Sequence, residues 1–233
     1  MVFLLLKFVT HKNFLHLLRK IKLFFYNVIA PPACNFCGLF LKQRLLFCSE
    51  CAAHIQPVVS TTIEITKKYS LKVFAVSSYK DPLKKLVLAK HWGCSISCKQ
   101  LAQLMAQNPS MQLQNYDYII PIPLHWMRQA KRGFNQSYEM AMYLQKKYKI
   151  VCRNILKRNR HTQLQSNLTH DQRLKNVKHA FSITSIDRAR YKNKHLLLID
   201  DVMTTGATLH AAAHELIKLK PASITAIVAC RAL

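Results

Sequence analysis

The sequence predicts an α/β protein: a largely parallel, doubly wound sheet with helices on both faces, behind a small four-cysteine module. Three observations carry this prediction. From residue 71 onward, short apolar runs alternate with segments of helical periodicity, the pattern of βαβ units. The run Leu196–Asp200 is apolar up to its last residue, as a strand buried on both faces requires. Ahead of these lie two Cys-x-x-Cys pairs, Cys34/Cys37 and Cys48/Cys51, separated by ten residues.

Taken in order, Phe14–Ile29 carries apolar residues at helical spacing with His16, Arg19, Lys20 and Lys22 between them, a basic amphipathic helix. Such a helix can make peripheral contact with a membrane, although packing against the cysteine module is its expected use. Pro31 and Pro32 end it. The cysteines occupy 34–51, and the Ser/Thr-rich stretch Gln56–Lys68 reads as a connection. Strands are expected at Leu71–Ser77, Tyr118–Ile122, Lys149–Leu156, Leu196–Asp200 and Ser223–Cys230. Helices are expected at Pro82–Lys90, Ser97–Gln107, Asn135–Lys147 and Leu209–Leu219. The chain therefore divides into an N-terminal helical segment (1–30), a cysteine module (31–57) and an α/β domain (66–233).

The 233 residues suffice for one α/β domain and a small appendage, and 50% hydrophobic content excludes global disorder. Acids are scarce: 35 Lys+Arg against 10 Asp+Glu leave a net charge of +25. Such a surplus favours polyanionic partners. It is concentrated, with ten basic residues and one acid between Lys146 and Lys178 and a second knot at Arg128, Lys131 and Arg132. The apolar stretch Met1–Val9 is too short to span a bilayer and no small-residue cleavage site follows it. No transmembrane span is expected, and the expected location is cytoplasmic.

Each Cys-x-x-Cys pair can form a knuckle that turns two thiolates towards one metal, and two knuckles complete a tetrahedral S₄ site. Cys34, Cys37, Cys48 and Cys51 are thus candidate ligands of a structural Zn²⁺; an iron–sulfur cluster or two disulfides are the alternatives. Zinc would replace the core that so short a module cannot build. Cys94, Cys98, Cys152 and Cys230 lack partners at ligand spacing.

The strongest chemical signal is Leu196-Leu-Leu-Ile-Asp-Asp-Val-Met-Thr-Thr-Gly-Ala-Thr208. A buried strand ends in two carboxylates and passes through a Thr/Gly loop into a helix. In open α/β sheets, ligands bind beyond the carboxyl ends of strands. Backbone N–H groups and hydroxyls from Thr204 to Thr208 can cradle one phosphate at the helix start. Asp200 and Asp201 repel phosphate but accept hydrogen bonds from vicinal hydroxyls, so the element reads as a ribose-5-phosphate cradle.

This stretch resembles the signature of type I phosphoribosyltransferases for 5-phosphoribosyl-1-pyrophosphate (PRPP). The resemblance implies that Asp200 and Asp201 hold the ribose hydroxyls, directly or through Mg²⁺, and that Val202, Met203, Thr204, Thr205, Gly206, Ala207 and Thr208 complete the PRPP loop. Two further blocks narrow it to the ComF family. The first, Pro121-Ile-Pro-Leu-His-Trp-Met-Arg-Gln-Ala-Lys-Arg-Gly-Phe-Asn-Gln-Ser137, is a basic segment with an Arg-Gly turn and a plausible helix cap at Asn135. Arg128, Lys131 and Arg132, with the N–H groups around Gly133, Asn135 and Gln136, suit a pyrophosphate. The second runs from Leu156-Lys-Arg-Asn-Arg through Arg173 to Ala180-Phe181. In related enzymes this region closes over PRPP, which nominates Arg160, Thr162, Gln165, Arg173 and Asn176. Lys90, ahead of His91-Trp92-Gly93, can reach the pyrophosphate as well.

The resemblance implies a role in natural transformation, with single-stranded DNA and other competence proteins as partners. Trp92, Trp126, Phe134 and His161 lie near basic residues where bases could stack, although core packing is the ordinary use of such aromatics. The alternative is a working phosphoribosyltransferase that moves ribose 5-phosphate from PRPP to an acceptor, but no acceptor pocket is recognisable.

Overall fold

The structure, a computed structural model, describes residues 28–56, 58–89, 95–107, 112–159 and 180–232. It divides into two compact units, one ending at Ala52 and the other running from Ala53 to the C-terminal end.

The larger unit is built on a six-stranded sheet in the order β1-β2-β8-β7-β3-β4. These strands are β1 (Val58–Glu64), β2 (Ser70–Ser78), β3 (Tyr118–Pro121), β4 (Val151–Cys152), β7 (His195–Met203) and β8 (Ser223–Arg231). Strands β2, β8, β7, β3 and β4 run parallel and only β1 is antiparallel, on β2. Of the helices, α2 (Leu83–Ala89), α3 (Ser95–Met105) and α5 (Gln136–Tyr148) pack on one face. The other face takes α6 (Ala207–Leu216) and a separate antiparallel pair, β5 (Leu156–Arg158) and β6 (Phe181–Ile183). Helices therefore cover both faces, as expected for the class.

Period-two alternation explains the two cores. Leu196 and Leu198 of β7 join Ile224, Ala226 and Val228 of β8 beneath Leu209, Ala213 and Leu216 of α6. Their neighbours Leu197, Ile199, Ile227 and Ala229 are equally buried and must face the opposite way. Asp117 pins the strand starts in register. Its carboxylate accepts hydrogen bonds from the His195 N–H at 2.8 Å and the Lys194 ammonium at 3.0 Å. Burial raises the Asp117 pKa, but these donors outweigh it and hold the carboxyl below its usual range.

Several elements depart from the sequence reading. Gln56–Lys68 is not a plain connection: its Val58–Glu64 part is the edge strand β1, because β-branched Val, Thr and Ile favour extended backbone and β2 offers a free edge. The sheet thus begins before residue 66. The expected strand Lys149–Leu156 is two pieces, since the Arg153 N–H makes the last bond to Ile119 and the chain then leaves the sheet. β7 runs on to Met203, three residues past its expected end, because β8 extends to Arg231 and pairs with it. The Pro121–Ser137 block contains a short helix, α4 (Trp126–Arg132), where only a loop with a turn was expected. His125 caps α4 by accepting from the Met127 N–H at 3.4 Å, and Gly133 ends it at φ 78°.

Helix α1 (Ser49–Ala53) begins directly after Cys48, carries Cys51, and reaches the end of the smaller unit. Among the described residues, no helix is long and apolar enough to cross a membrane. The expected helix at Phe14–Ile29 falls outside the described residues except for its last two positions.

Candidate functional site

Loop and strand ends meet at the carboxyl edge of the sheet around a cavity of about 400 Å³. Asp200 and Asp201 reach it from the end of β7, and Thr204 and Thr208 from the turn into α6. Arg128 and Arg132 enter from α4, Gln136 and Ser137 from the first turn of α5, and Arg158 from β5. Because β7 continues through both aspartates, the carboxylates stand on a hydrogen-bonded ladder and not on a loose loop.

Local bonds orient them. The Ser137 hydroxyl lies 3.1 Å from Asp200 Oδ1, which also accepts from the Asp201 N–H at 2.9 Å. Asp201 Oδ1 accepts from the Val202 N–H at 2.6 Å. Ser137 is in place because Asn135 caps α5, accepting from the Ser137 N–H at 3.1 Å while its own amide donates to Ile122 O at 3.0 Å. Gln136 is 1% exposed and its Nε2 has no hydrogen-bond partner among the described residues. Such a donor costs about 1–3 kcal/mol to leave unsatisfied, a cost that an anionic oxygen in the cavity would relieve.

The cavity strains its own cations. Burial, then the neighbouring Arg132, pushes the Arg128 pKa below its usual value. Arg158 is lowered by burial and then by Arg128, with Asp200 opposing. Guanidinium groups stay charged at neutral pH, so crowding them favours an anion that neutralises them together. Tyr79, another lining residue, is raised by burial, then by Cys230, Asp201 and Asp81.

Gly206 makes the strand-to-helix turn at φ 79°, the left-handed region, and caps α6. A Cβ there would lie 2.6 Å from Ile63 Cδ1 of β1. Gly206→Ala is expected to cost about 1–2 kcal/mol from the backbone alone, plus whatever Ile63 cannot yield by changing rotamer. Urea unfolding of the variant checks this, and adding Ile63→Val should restore the steric part while leaving the backbone part.

The structure thus brings together Asp200, Asp201, Val202, Thr204, Thr208, Arg128, Arg132 and Gln136 of the expected residues. Met203 is buried in the core beneath α6, and Ala207 is the first residue of that helix. Thr205 accepts from the Ala207 N–H at 3.4 Å. Gly133 and Asn135 do not line this cavity; they border a neighbouring one, because α4 turns the chain away before α5 begins. Lys131 lies within α4. Lys90, Arg160, Thr162, Gln165, Arg173 and Asn176 lie outside the described residues, as do Trp92 and His161. Sequence reasoning missed Tyr79, Ser137 and Arg158. Ser137, two residues after the cap in a block already nominated, was within reach of it; Arg158 is brought there only by the β5–β6 pairing.

In the smaller unit, the Sγ atoms of Cys34, Cys37, Cys48 and Cys51 all lie within 4.8 Å of one another. Cys37 and Cys48 are 3.8 Å apart, close to the ~3.8 Å edge of a tetrahedron with ~2.3 Å Zn–S bonds and far beyond a ~2.05 Å disulfide. All four are free thiols here. Gly38, at φ 78°, closes the first knuckle with its N–H on Cys34 O at 3.0 Å. The Cys51 N–H points at Cys48 Sγ at 3.4 Å in the second. Burial raises the Cys34 pKa, but backbone donors from Cys37, Cys48 and Phe36 bring it down to about 6. The Cys51 pKa is raised, first by burial and then by the neighbouring sulfurs. The cluster can hold a zinc ion, and its donor set is closed.

The sequence profile of the phosphoribosyl transferase domain matches residues 130–233. Competence protein F of Haemophilus influenzae is 29% identical over 195 residues, covering 81% of this chain and 80% of that protein. DNA utilization protein YhgH of Salmonella typhimurium is 29% identical over 212 residues, covering 86% and 90%. Among solved structures, adenine phosphoribosyltransferase of Leishmania tarentolae aligns over 72% of this chain and 80% of its own, with 13% identity and a TM-score of 0.38. With the carboxylate pair, the Thr/Gly turn and the four-cysteine cluster in place, the chain resembles the ComF family, and these likenesses support a competence-related protein with a phosphoribosyl transferase domain.

Proposed function

We propose that the chain binds PRPP, or a related phosphoribosyl ligand, in the cavity beyond β7, and that it handles single-stranded DNA during DNA uptake, in the cytoplasm. One observation carries the reading: a carboxylate pair, a Thr/Gly turn and three arginines line a single cavity of about 400 Å³. Asp200 and Asp201 suit the ribose hydroxyls. Thr204, Thr208 and the first N–H groups of α6, with Thr205, Gly206 and Ala207, suit the 5-phosphate. Arg128, Arg132 and the buried Gln136 amide suit the pyrophosphate. Mg²⁺ fits the donor set, since hard carboxylate oxygens are its preferred ligands; Asp200 and Asp201 would hold it, and when bound it would neutralise pyrophosphate charge. Zn²⁺ at the cysteine cluster would be structural, with no position for a substrate.

The DNA part rests on the net charge of +25 and on the relatives, one of which is named for DNA utilization. Calorimetry with Mg²⁺–PRPP should show saturable one-site binding; its absence would remove the cavity assignment. A single-stranded oligonucleotide, titrated between about 50 and 200 mM salt, should bind with a log–log slope steeper than about −2, the release expected from three or more phosphates. Weak, salt-insensitive binding would remove the DNA part. The arginines where a leaving pyrophosphate would lie also favour a second reading, transfer of ribose 5-phosphate to an acceptor. Pyrophosphate release across a panel of bases and amines decides it.

A further inference from the structure

Beside the first cavity lies a second, of about 510 Å³. Three aromatic side chains line it, Trp126, Phe134 and Tyr138, and Gln129 and Asn154 add amides. Leu124 and Arg158 line both cavities, so the two adjoin. Trp126 is 69% exposed, contrary to the core role usual for a tryptophan, whose large ring is generally well buried. It is nevertheless not loosely attached. It is the first residue of α4, beside His125, which is buried, caps the helix, and lies with its ring centroid 5.7 Å from the indole at 40°. The indole is therefore presented to solvent from a fixed base, and little backbone ordering remains to be lost when a ligand covers it.

We propose that this second cavity is a nucleobase subsite, in which a planar base stacks on Trp126 while the phosphate of the same nucleotide reaches Arg158 at the wall shared with the first cavity. The inference rests on the sugar-phosphate reading of that first cavity. The chemistry selects a base over an aliphatic or purely anionic ligand. Aromatic faces stack on any base, and the Gln129 and Asn154 amides offer donors and acceptors for its edge. A free nucleotide and an exposed base of a single strand share this chemistry.

The test uses the full-length chain with Trp92→Phe. Only two tryptophans are present, so Trp126 then reports alone. PRPP, AMP and a short oligodeoxyadenylate are titrated against it by fluorescence and by calorimetry. AMP or the oligonucleotide should quench the indole, and PRPP, which has no base, should bind without quenching. Quenching by AMP alone identifies a free nucleotide; quenching by the oligonucleotide alone identifies single-stranded DNA; either supports the subsite. Trp126→Ala should weaken the quenching ligand roughly 5- to 150-fold, the value of one stacked base, and leave PRPP affinity unchanged, with Trp126→Phe keeping most of the affinity. Unaltered AMP and oligonucleotide binding in Trp126→Ala would overturn the subsite. So would the absence of quenching in a chain that still binds PRPP, and in both cases the reading of the first cavity stands. Failure of PRPP itself to bind would overturn that reading instead.

Discussion

Replacing both carboxylates, Asp200→Asn with Asp201→Asn, should weaken Mg²⁺–PRPP binding by roughly 10²- to 10⁴-fold. Hydrogen bonds to charged groups contribute about 1.5–3 kcal/mol each, and two are lost together. The fold should survive, because neither residue belongs to the apolar core and asparagine keeps the shape and one acceptor oxygen. The Ser137 hydroxyl at 3.1 Å from Asp200 Oδ1 can donate to that amide oxygen as well. The opposite response of simple phosphates makes the experiment specific. Asp200, Asp201, Arg128, Arg132 and Arg158 line one cavity, so removing two negative charges leaves its arginines less neutralised. Free pyrophosphate should bind the double variant as well as the parent, or better. Calorimetry with the two ligands separates the outcomes: parallel loss of both would indicate a damaged site, and full retention of PRPP binding would contradict the assignment of the pair to the ribose.

The second large effect is expected at the cysteine cluster. Purified chain should carry one zinc ion, and a strong chelator should release it with loss of structure confined to the smaller unit. Zinc binding to comparable small modules contributes on the order of 10–16 kcal/mol near pH 7, more than any core that the smaller unit can assemble. Among its described residues Leu39, Phe40 and Leu45 are largely exposed, so within residues 28–52 the metal is the main tie. Cys51→Ser should abolish zinc retention, because Cys51 is a buried member of the cluster and a hydroxyl is a poor substitute for a thiolate. Metal analysis with limited proteolysis checks both points. A metal-free chain whose residues 28–52 resist proteolysis as well as the zinc-loaded form would exclude a structural role.

Much of this was legible in the chain. Leu196–Ile199 could be assigned to a buried strand because four consecutive apolar residues need cover on both faces, and all four are buried. Asn135 could be assigned as a cap because a short polar side chain before a helical stripe satisfies free N–H groups, and it does. The cysteine pairs were readable because ligand spacing is a local property. Helix α4 was not, since its basic residues carry no clear amphipathic stripe and its start depends on the buried His125 ring. Strand β1 was hidden for a related reason: a Ser/Thr-rich run looks like a linker until a neighbouring strand offers an edge.

What the sequence determined by itself was the chemistry of the carboxyl end of β7, two acids followed by a Thr/Gly turn, and the four sulfur ligands, because both are set by residues close together in the chain. Tertiary structure alone decided which cations meet those acids. Arg158 and Asp200 are 42 positions apart and line one cavity only because β5 pairs with β6 over the sheet face while β7 occupies its centre. It also decided that Trp126 stays in solvent beside Phe134 and Tyr138. Hydrophobicity predicts that a tryptophan will be buried, but whether an apolar face lies within its reach depends on how α4 leaves the end of β3. That geometry belongs to the packed molecule and leaves no local trace in the sequence.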